Sequence, residues 1–307
     1  MTGKTVLVTG ARGFLGRFVV EHYRSAGWRV VGLGHGAPND VAHDDGVAWH
    51  HGEVELTALE RLGIEPDLLV HCAGSGSVAA SIADPFGDHG RTVGSTAAVL
   101  EFVRRSSPRT VVVYPSSAAV YGNAAHCPAS EGGKARLRPA SPYGAHKLMA
   151  EHLCASYGEH FGVSVAVVRF FSIYGEGLRK QLLWDACRKI GQGDDLYFGT
   201  GEESRDWLHA EDAARLIAAV AGHASPACPV YNGASGTPTT VRQALTLLYR
   251  ELAPRRSPRF SMRARTGDPR DLRADIGHTL TTGWLPEIRL AQGVVRYARW
   301  FRAVRHD

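Results

Sequence analysis

The chain begins with a short apolar run. Residues 4–9, KTVLVT, are apolar and β-branched and stop at Gly10, the pattern of a strand buried on both faces. From Phe14 to about Ala26 the apolar positions return every three or four residues, which predicts a helix. Strand-like runs follow as WRVVGLG (28–34), DLLVHCAG (67–74), TVVVYPSSA (110–118) and VSVAVVRFF (163–171). Helical patterns lie between them, for instance around 95–105 and 142–161. Strands that alternate with helices predict a parallel sheet covered on both faces. Beyond residue 172 the pattern loosens, with Gly and Pro interrupting short segments. Helices are predicted there at 180–191, 210–222, 239–252 and 290–303. A larger unit over 1–172 is expected, followed by a region over 173–307 that packs on the sheet edge, returns segments to the sheet and needs no flexible linker.

Composition narrows the picture. A chain of 307 residues, 44% apolar and 21% charged, suits a globular α/β protein. No apolar run reaches spanning length, and the first residues do not read as a leader, so the expectation is a cytoplasmic protein with no membrane partner. The cysteines, Cys72, Cys127, Cys154, Cys187 and Cys228, are scattered and odd in number. They read as reduced thiols, with neither a disulfide framework nor a metal site. The net charge of +5 is spread along the chain, apart from APRRSPRFSMRAR and a row of arginines (289, 296, 299, 302 and 305) near the end. That row reads as a solvated helix face, so no nucleic-acid partner is expected. A positive field would draw in an anionic substrate such as a nucleotide diphosphate.

The first strand ends in VTGARGFLG, which places Gly10, Gly13 and Gly16 at a strand-to-helix junction. The first glycine permits a tight turn, the second lets backbone approach a pyrophosphate, and the third lets helix and strand pack closely. The free N–H groups of the helix start would then meet the phosphates. These features predict a doubly wound, Rossmann-type fold, with dinucleotide binding in residues 1–172 and a mainly substrate-binding region after them. The second strand ends at Gly34 and His35, with no carboxylate for a ribose 2′-hydroxyl. Arg12 and His35 either flank a 2′-phosphate or face solvent, so both NAD and NADP stay open.

SPYGAHKLMAE (141–151) carries Tyr143 and Lys147 four residues apart, on one face of a predicted helix. The spacing is common by chance, and its neighbours decide its meaning. TGARGFLG, HCAGSGSV, PSSAAVYG, SPYGAHKLMAE, RFFSIYG, SRDWLHAEDAARL and RTGDPRDLRAD occur in this order. Together they resemble the extended short-chain dehydrogenase/reductases, and most of all their nucleotide-sugar epimerase branch. The resemblance covers nearly the whole chain. It departs at Gly34, at Thr92 and Ser172 where asparagines are usual, and at Ala118-Ala119 where dehydratases carry an Asp-Glu pair. Without those carboxylates, elimination of water is not expected.

The resemblance implies Ser117, Tyr143 and Lys147 as catalytic residues, with Ser116 as the neighbouring alternative to Ser117. It places the dinucleotide against Gly10, Arg12, Gly13, Phe14, Leu15, Gly16, His35, Glu53, Val54, Cys72, Ala73 and Gly74, together with Tyr143 and Lys147. It places substrate against Ser117, Ser172, Arg179, Lys180, Arg205 and Arg265. Arg205 and Arg265 are either diphosphate ligands or structural ion-pair partners. Arg179 and Lys180 bind a phosphate or a hexuronate carboxylate, or cap a helix. Asp206, Asp212 and His209 read as structural, and Phe171, Tyr174 and Trp207 as core.

A tyrosine hydroxyl ionises near ~10, so proton abstraction at neutral pH needs a cation beside it. Lys147 and an oxidised nicotinamide would both favour the phenolate. The implied activity is an NAD-dependent 4-epimerase of a UDP-hexose or UDP-hexuronate. It would act by transient oxidation at C4, rotation of the intermediate and return of the hydride. The alternatives are an NADPH-dependent nucleotide 4-keto-sugar reductase and, from another class, a non-catalytic dinucleotide sensor. A homodimer pairing helices near 95–105 and 142–161 is also implied.

Overall fold

The computed structural model describes residues 3–35, 46–122, 128–132, 137–263 and 271–304. The first half runs β1 (Thr5–Thr9), α1 (Phe14–Ser25), β2 (Arg29–Gly34), β3 (Val47–His51), α2 (Leu56–Glu60) and β4 (Leu68–His71). Next come α3 (Val78–Ala83), α4 (Pro85–His89) and α5 (Ser95–Ser106), the last two joined by a π-turn at Gly90–Gly94. They lead to β5 (Val111–Ser117), α6 (Pro142–Phe161) and β6 (Val165–Phe170). The second half holds β7 (Ser172–Tyr174), α7 (Gln181–Gly191), β8 (Leu196–Tyr197), β9 (Ser204–His209) and α8 (Ala210–Ala221). After these come β10 (Val230–Gly233), β11 (Pro238–Thr240), α9 (Val241–Leu252), β12 (Arg259–Phe260), β13 (Asp271–Leu272), α10 (Gly277–Leu280) and α11 (Leu290–Val304).

Seven strands form one parallel sheet in the order β3-β2-β1-β4-β5-β6-β10. The chain winds outward from β1 to β3, returns beside β1, and winds the other way from β4. Strand order therefore reverses between β1 and β4, where Thr9 pairs with His71. Crevices that bind ligands open at such a reversal, beyond the carboxyl ends of the strands.

The strands' period of two sorts the core. Val6 and Val8 of β1 face a cluster with Val19, Val20, Leu216, Ile217 and Val220 of α1 and α8. Leu7, between them, faces the other way, with Leu59, Val99, Leu100, Val103 and Ala150 from α2, α5 and α6. Both faces of the sheet are thus covered, as the continuous apolar runs predict.

Two strands of the main sheet escaped the sequence reading. β3, VAWHH, is an edge strand with its polar residues half-buried or exposed, so it has no apolar run. β10, VYNG, is four residues long, yet it completes the sheet by pairing with β6. Among the rest, β11, β9 and β13 form a small sheet that β7 joins, and β12 pairs with β8. Helices α7, α9 and α11 bury Leu183, Cys187, Leu245, Leu248, Tyr297 and Phe301 around Tyr174 and Trp207. The arginines of α11 are not simply a solvated face. Arg296 reaches Glu176, in the turn after β7, at 2.6 Å and also pairs with Glu211 of α8. No helix among the described residues is long and apolar enough to cross a membrane.

Leu216 is fully buried on α8. Leu216→Ala removes its packing against the sheet and is expected to cost ~2–5 kcal/mol. A urea melt should show a lower midpoint with an unchanged slope; an unchanged midpoint would contradict this packing.

Candidate active site

The turn after β1 is built by backbone contact. Gly10 has φ +62, and a Cβ there would lie 2.6 Å from the Ala73 nitrogen. A Cβ on Gly16 would lie 2.1 Å from the Gly10 oxygen, so α1 can seat itself on the turn only with glycine there. Helix α1 starts after Gly13 with no side-chain cap and no acid in its first turn. Its first N–H groups therefore keep their donors and their positive dipole end for an anion.

A groove of ≈ 860 Å³ opens at this turn. Gly10, Arg12, Gly13, His35, Glu53, Val54, Cys72, Ala73 and Gly74 all line it. Phe14, Leu15 and Gly16 do not. Phe14 packs edge-on to Phe18 and Leu15 packs on the sheet core. Gly34 lies in the wall, which also carries the carboxylates of Glu53 and Glu55; Glu53, two residues after β3, lies 3.1 Å from His35 Nε2. The Arg12 guanidinium lies over the Trp49 ring at 4.9 Å. The groove has a further wall that the sequence reading did not name. It consists of Gly87, Gly90, Gly94, Ser95 and Ala98 on α4, the π-turn and α5. The signal was present as small residues three and four apart.

Below the groove, His71 at the end of β4 is buried between two hydroxyls. Thr9 Oγ1 lies 2.7 Å from its Nδ1 and Ser95 Oγ 3.2 Å from its Nε2. Burial, and then the charge of Lys147, push its pKa down to about 3. Cys72, next along, is a thiol pushed up to about 12 by burial, so it is no ready nucleophile.

Helix α6 starts after Ser141, whose Oγ accepts the Gly144 N–H at 3.2 Å, with Pro142 in the first turn. It ends at Gly162 in the left-handed region. Its first turns carry Tyr143 and Lys147. Ser117 at the end of β5 lies near enough to the Tyr143 phenol to lower its pKa, and the Tyr143 N–H donates to Ser81 Oγ at 3.0 Å. Ser117 Oγ also accepts the Ala119 N–H at 3.2 Å. Lys147 is buried and donates from Nζ to the Pro115 carbonyl at 2.8 Å, over the ring of Tyr114 at 4.8 Å. Burial lowers its pKa to about 8, against the opposing pull of nearby anionic groups. Burial also raises Tyr143, while the Ser117 hydrogen bond lowers it and the charge of Asp88 raises it. The chain by itself thus holds the phenol protonated.

One turn on, Glu151 accepts the Ser116 hydroxyl at 2.5 Å and a bidentate Arg169, at 2.7 Å for the shortest contact. Arg169 continues to the Tyr121 hydroxyl, which donates to Asn232 Oδ1 at 2.7 Å.

A second cavity, of ≈ 810 Å³, lies against the smaller sheet. Ser172 and Arg205 line it, with Phe198, Trp207 and Asp271. Lys180 donates to the Gly76 carbonyl at 3.0 Å, joining the α7 start to the loop after β4. Arg179 is exposed and lies over the Trp300 ring at 6.0 Å, on neither cavity's wall. Arg265 and Cys127 lie outside the described residues. Asp206 accepts N–H and O–H groups of Ser235 at 2.7 Å, and Asp212 accepts the Ile288 N–H at 2.9 Å. His209 sits 3.1 Å from Glu176 in the core. No cluster of metal-ligating side chains occurs among the described residues.

A seven-stranded parallel sheet with a glycine turn at its reversal point, and a Ser/Tyr/Lys set beside it, define a dinucleotide-dependent enzyme fold. The family model "NAD dependent epimerase/dehydratase family" matches residues 6–232, and the chain belongs to that family. It is 26% identical to the UDP-glucose 4-epimerase of Mycolicibacterium smegmatis, over 96% of this chain and 98% of that one. It superposes on the UDP-glucose 4-epimerase of Thermotoga maritima with a TM-score of 0.88 at 23% identity, covering 98% of this chain and 99% of that one. The structure of MoeE5 in complex with UDP-glucuronic acid and NAD matches with a TM-score of 0.85 at 27% identity, again over 98% and 99%.

His71 gives the fold a pH dependence with a defined sign. In the folded chain the ring stays neutral down to about 3, whereas a free histidine takes a proton below its ordinary 6.5. The unfolded chain binds the extra proton between those values, so stability is full above 6.5 and falls as pH drops towards 3. Denaturant melts from pH 7 to 4 should show this slope, and it should be shallower in His71→Gln. An identical slope in the variant would remove His71 as its source.

Proposed function

We propose that the chain is an NAD-dependent nucleotide-sugar 4-epimerase acting on a UDP-hexose or UDP-hexuronate. The observation that carries the reading is Ser117 at the end of β5 brought beside the first turns of α6, which carry Tyr143 and a buried Lys147 bonded to the Pro115 carbonyl of the same strand. Relatives that act on UDP-glucose, and a structure that holds a UDP-uronate with NAD, support the substrate class.

The residues present fit the dinucleotide. Gly10, Gly13 and the uncapped start of α1 would hold its pyrophosphate, and Lys147 would hold the nicotinamide ribose. When bound, NAD supplies the acceptor and donor of the hydride. Tyr143 takes the proton of the sugar 4-hydroxyl and later returns one to the 4-keto oxygen. Ser117 donates to the same oxygen and fixes its direction. The Lys147 ammonium stabilises the phenolate and releases the Pro115 carbonyl when it turns to the ribose. Arg205 offers its guanidinium to the diphosphate in the second cavity. Rotation of the keto-sugar needs room, and the second cavity supplies it. The carboxylate of Glu53 at the groove wall favours a ribose 2′-hydroxyl over a 2′-phosphate. For the dimer, α6 exposes Met149 and Phe161, and α3 and α4 expose Val78, Ile82 and Phe86 beside it. A second copy pairing through this face would cover them.

Tyr143→Phe should abolish turnover of UDP-glucose and UDP-glucuronate while dinucleotide remains bound; near-normal turnover would sink the assignment. Lys147→Ala should lose turnover and dinucleotide together, and unchanged retention would argue against its role. Mass spectrometry of the denatured wild-type protein should release stoichiometric NAD(H). No bound cofactor, with reversible NADPH binding, would favour the 4-keto-sugar reductase.

A further inference from the structure

Asp88, on α4, is wholly buried and faces the first turn of α6. Its Oδ2 lies 2.5 Å from His146 Nδ1. Its Oδ1 has no hydrogen-bond partner among the described residues, although solvent does not reach it. A buried carboxylate oxygen left without a donor is expensive, and a neutral Asn or Ser could hold His146 without that cost. Such a group calls for a reason other than stability.

Its position supplies one. His146 follows Tyr143 by three residues and directly precedes Lys147. Ser81 of α3 accepts the Tyr143 N–H at 3.0 Å and donates to the Val78 carbonyl at 2.7 Å. The α3–α4 segment thus grips the turn that carries Tyr143 and Lys147 at two points, and the grip at Asp88 brings a carboxylate into a dry site.

We propose that Asp88 is a positioning residue that, through His146, fixes the first turn of α6 and places a negative charge behind Tyr143 and Lys147, so that Tyr143 gives up its proton only when substrate and dinucleotide are in place. This rests on the proposed role of Tyr143. His146 is the direct partner of Asp88, and the other groups around it are engaged elsewhere. Arg91, one turn along, is engaged by Asp84 at 3.3 Å. His89 touches His146 edge-on, with ring centres 5.4 Å apart. Tyr143 also faces Ser117 from β5, and its phenol is raised by burial first and by Asp88 as well. Lys147 faces Cys72 after β4, Tyr114 from β5, and Glu151 and Cys154 on its own helix. Burial lowers it, and Asp88 is among the groups that pull it back up. Removing the charge therefore lowers both members of the pair.

The test is the pH profile of kcat/KM for Asp88→Asn, which keeps the shape and a side-chain acceptor for His146. With UDP-glucose or UDP-glucuronate as substrate, the acidic limb should move down by about one pH unit. An unmoved limb, in a variant with wild-type melting and wild-type bound dinucleotide, overturns the proposal. If Asp88→Asn does not fold, Asp88→Thr gives the same reading with a smaller neutral side chain. Failure of both to fold also overturns it, because Asp88 would then be a folding residue. If the wild type turns over neither substrate, the epimerase reading fails separately. Tyrosinate absorbance, titrated against a Tyr143→Phe baseline with and without Asp88→Asn, still reports whether Asp88 holds the phenol protonated: a downward shift in the variant supports the proposal and no shift overturns it.

Discussion

Glu151 and Arg169 are both more than nine-tenths buried, and they face each other across the gap between α6 and β6. Burying two charges costs several kcal/mol per ion before any attraction is counted, on the order set by desolvation. The cost is offset only because nearly every polar atom of the pair finds a partner. Arg169 gives three contacts to Glu151, the fourth carries on to Tyr121, and Ser116 completes the carboxylate. A pair satisfied in this way tolerates one rotation of α6 about its axis and no other. Tyr143 and Lys147 lie two turns and one turn before Glu151 on the same face, so the ion pair sets their direction. Ser116 precedes Ser117 on β5, so the same pair fixes the strand end that carries Ser117.

The sheet supplies the second constraint. Strand order reverses between β1 and β4, and helices leave the strand ends in opposite directions there. The groove at Gly10 is what remains when neither helix covers the gap. β10 and α8 return from the second half of the chain to the main sheet, while β7, β9 and α7 carry Ser172, Arg205 and Lys180 to the opposite wall.

How much of this the sequence disclosed varies with the physical signal. Helix α6 was readable to the residue, because Ser141, Pro142 and Gly162 mark its ends chemically. Buried strands were readable from apolar runs. β3 was not, since an edge strand needs no such run, and β10 was too short to carry one. The glycine turn was readable because only glycine can meet its steric demand at Gly10 and Gly16. The groove wall formed by Gly87, Gly90 and Gly94 was not, because small residues on a helix have many explanations and the contact they make is long-range. Arg179 and Lys180 are adjacent in sequence yet diverge, one to Trp300 and the other to Gly76, and no local pattern distinguishes them. The partners of Asp88 and His146 lie far apart along the chain for the same reason.

Burial drives Tyr143 and Lys147, the proposed catalytic pair, in directions that look unhelpful at first. It raises the phenol of Tyr143 and lowers the ammonium of Lys147, so each resists its charged form. A dry site, however, magnifies whatever charge arrives in it. The cationic ring of an oxidised nicotinamide entering this groove would act on Tyr143 with little screening, and would act only while oxidised. In the proposed mechanism, proton abstraction would then be tied to the cofactor state that can accept a hydride, and the chain without cofactor would keep a neutral phenol. A solvated tyrosine beside a solvated lysine could not make that distinction, because water would screen the cofactor's charge. The cost of burying Lys147, bonded to the Pro115 carbonyl over the Tyr114 ring, is in this reading a consequence of the same dryness that would make the pair selective.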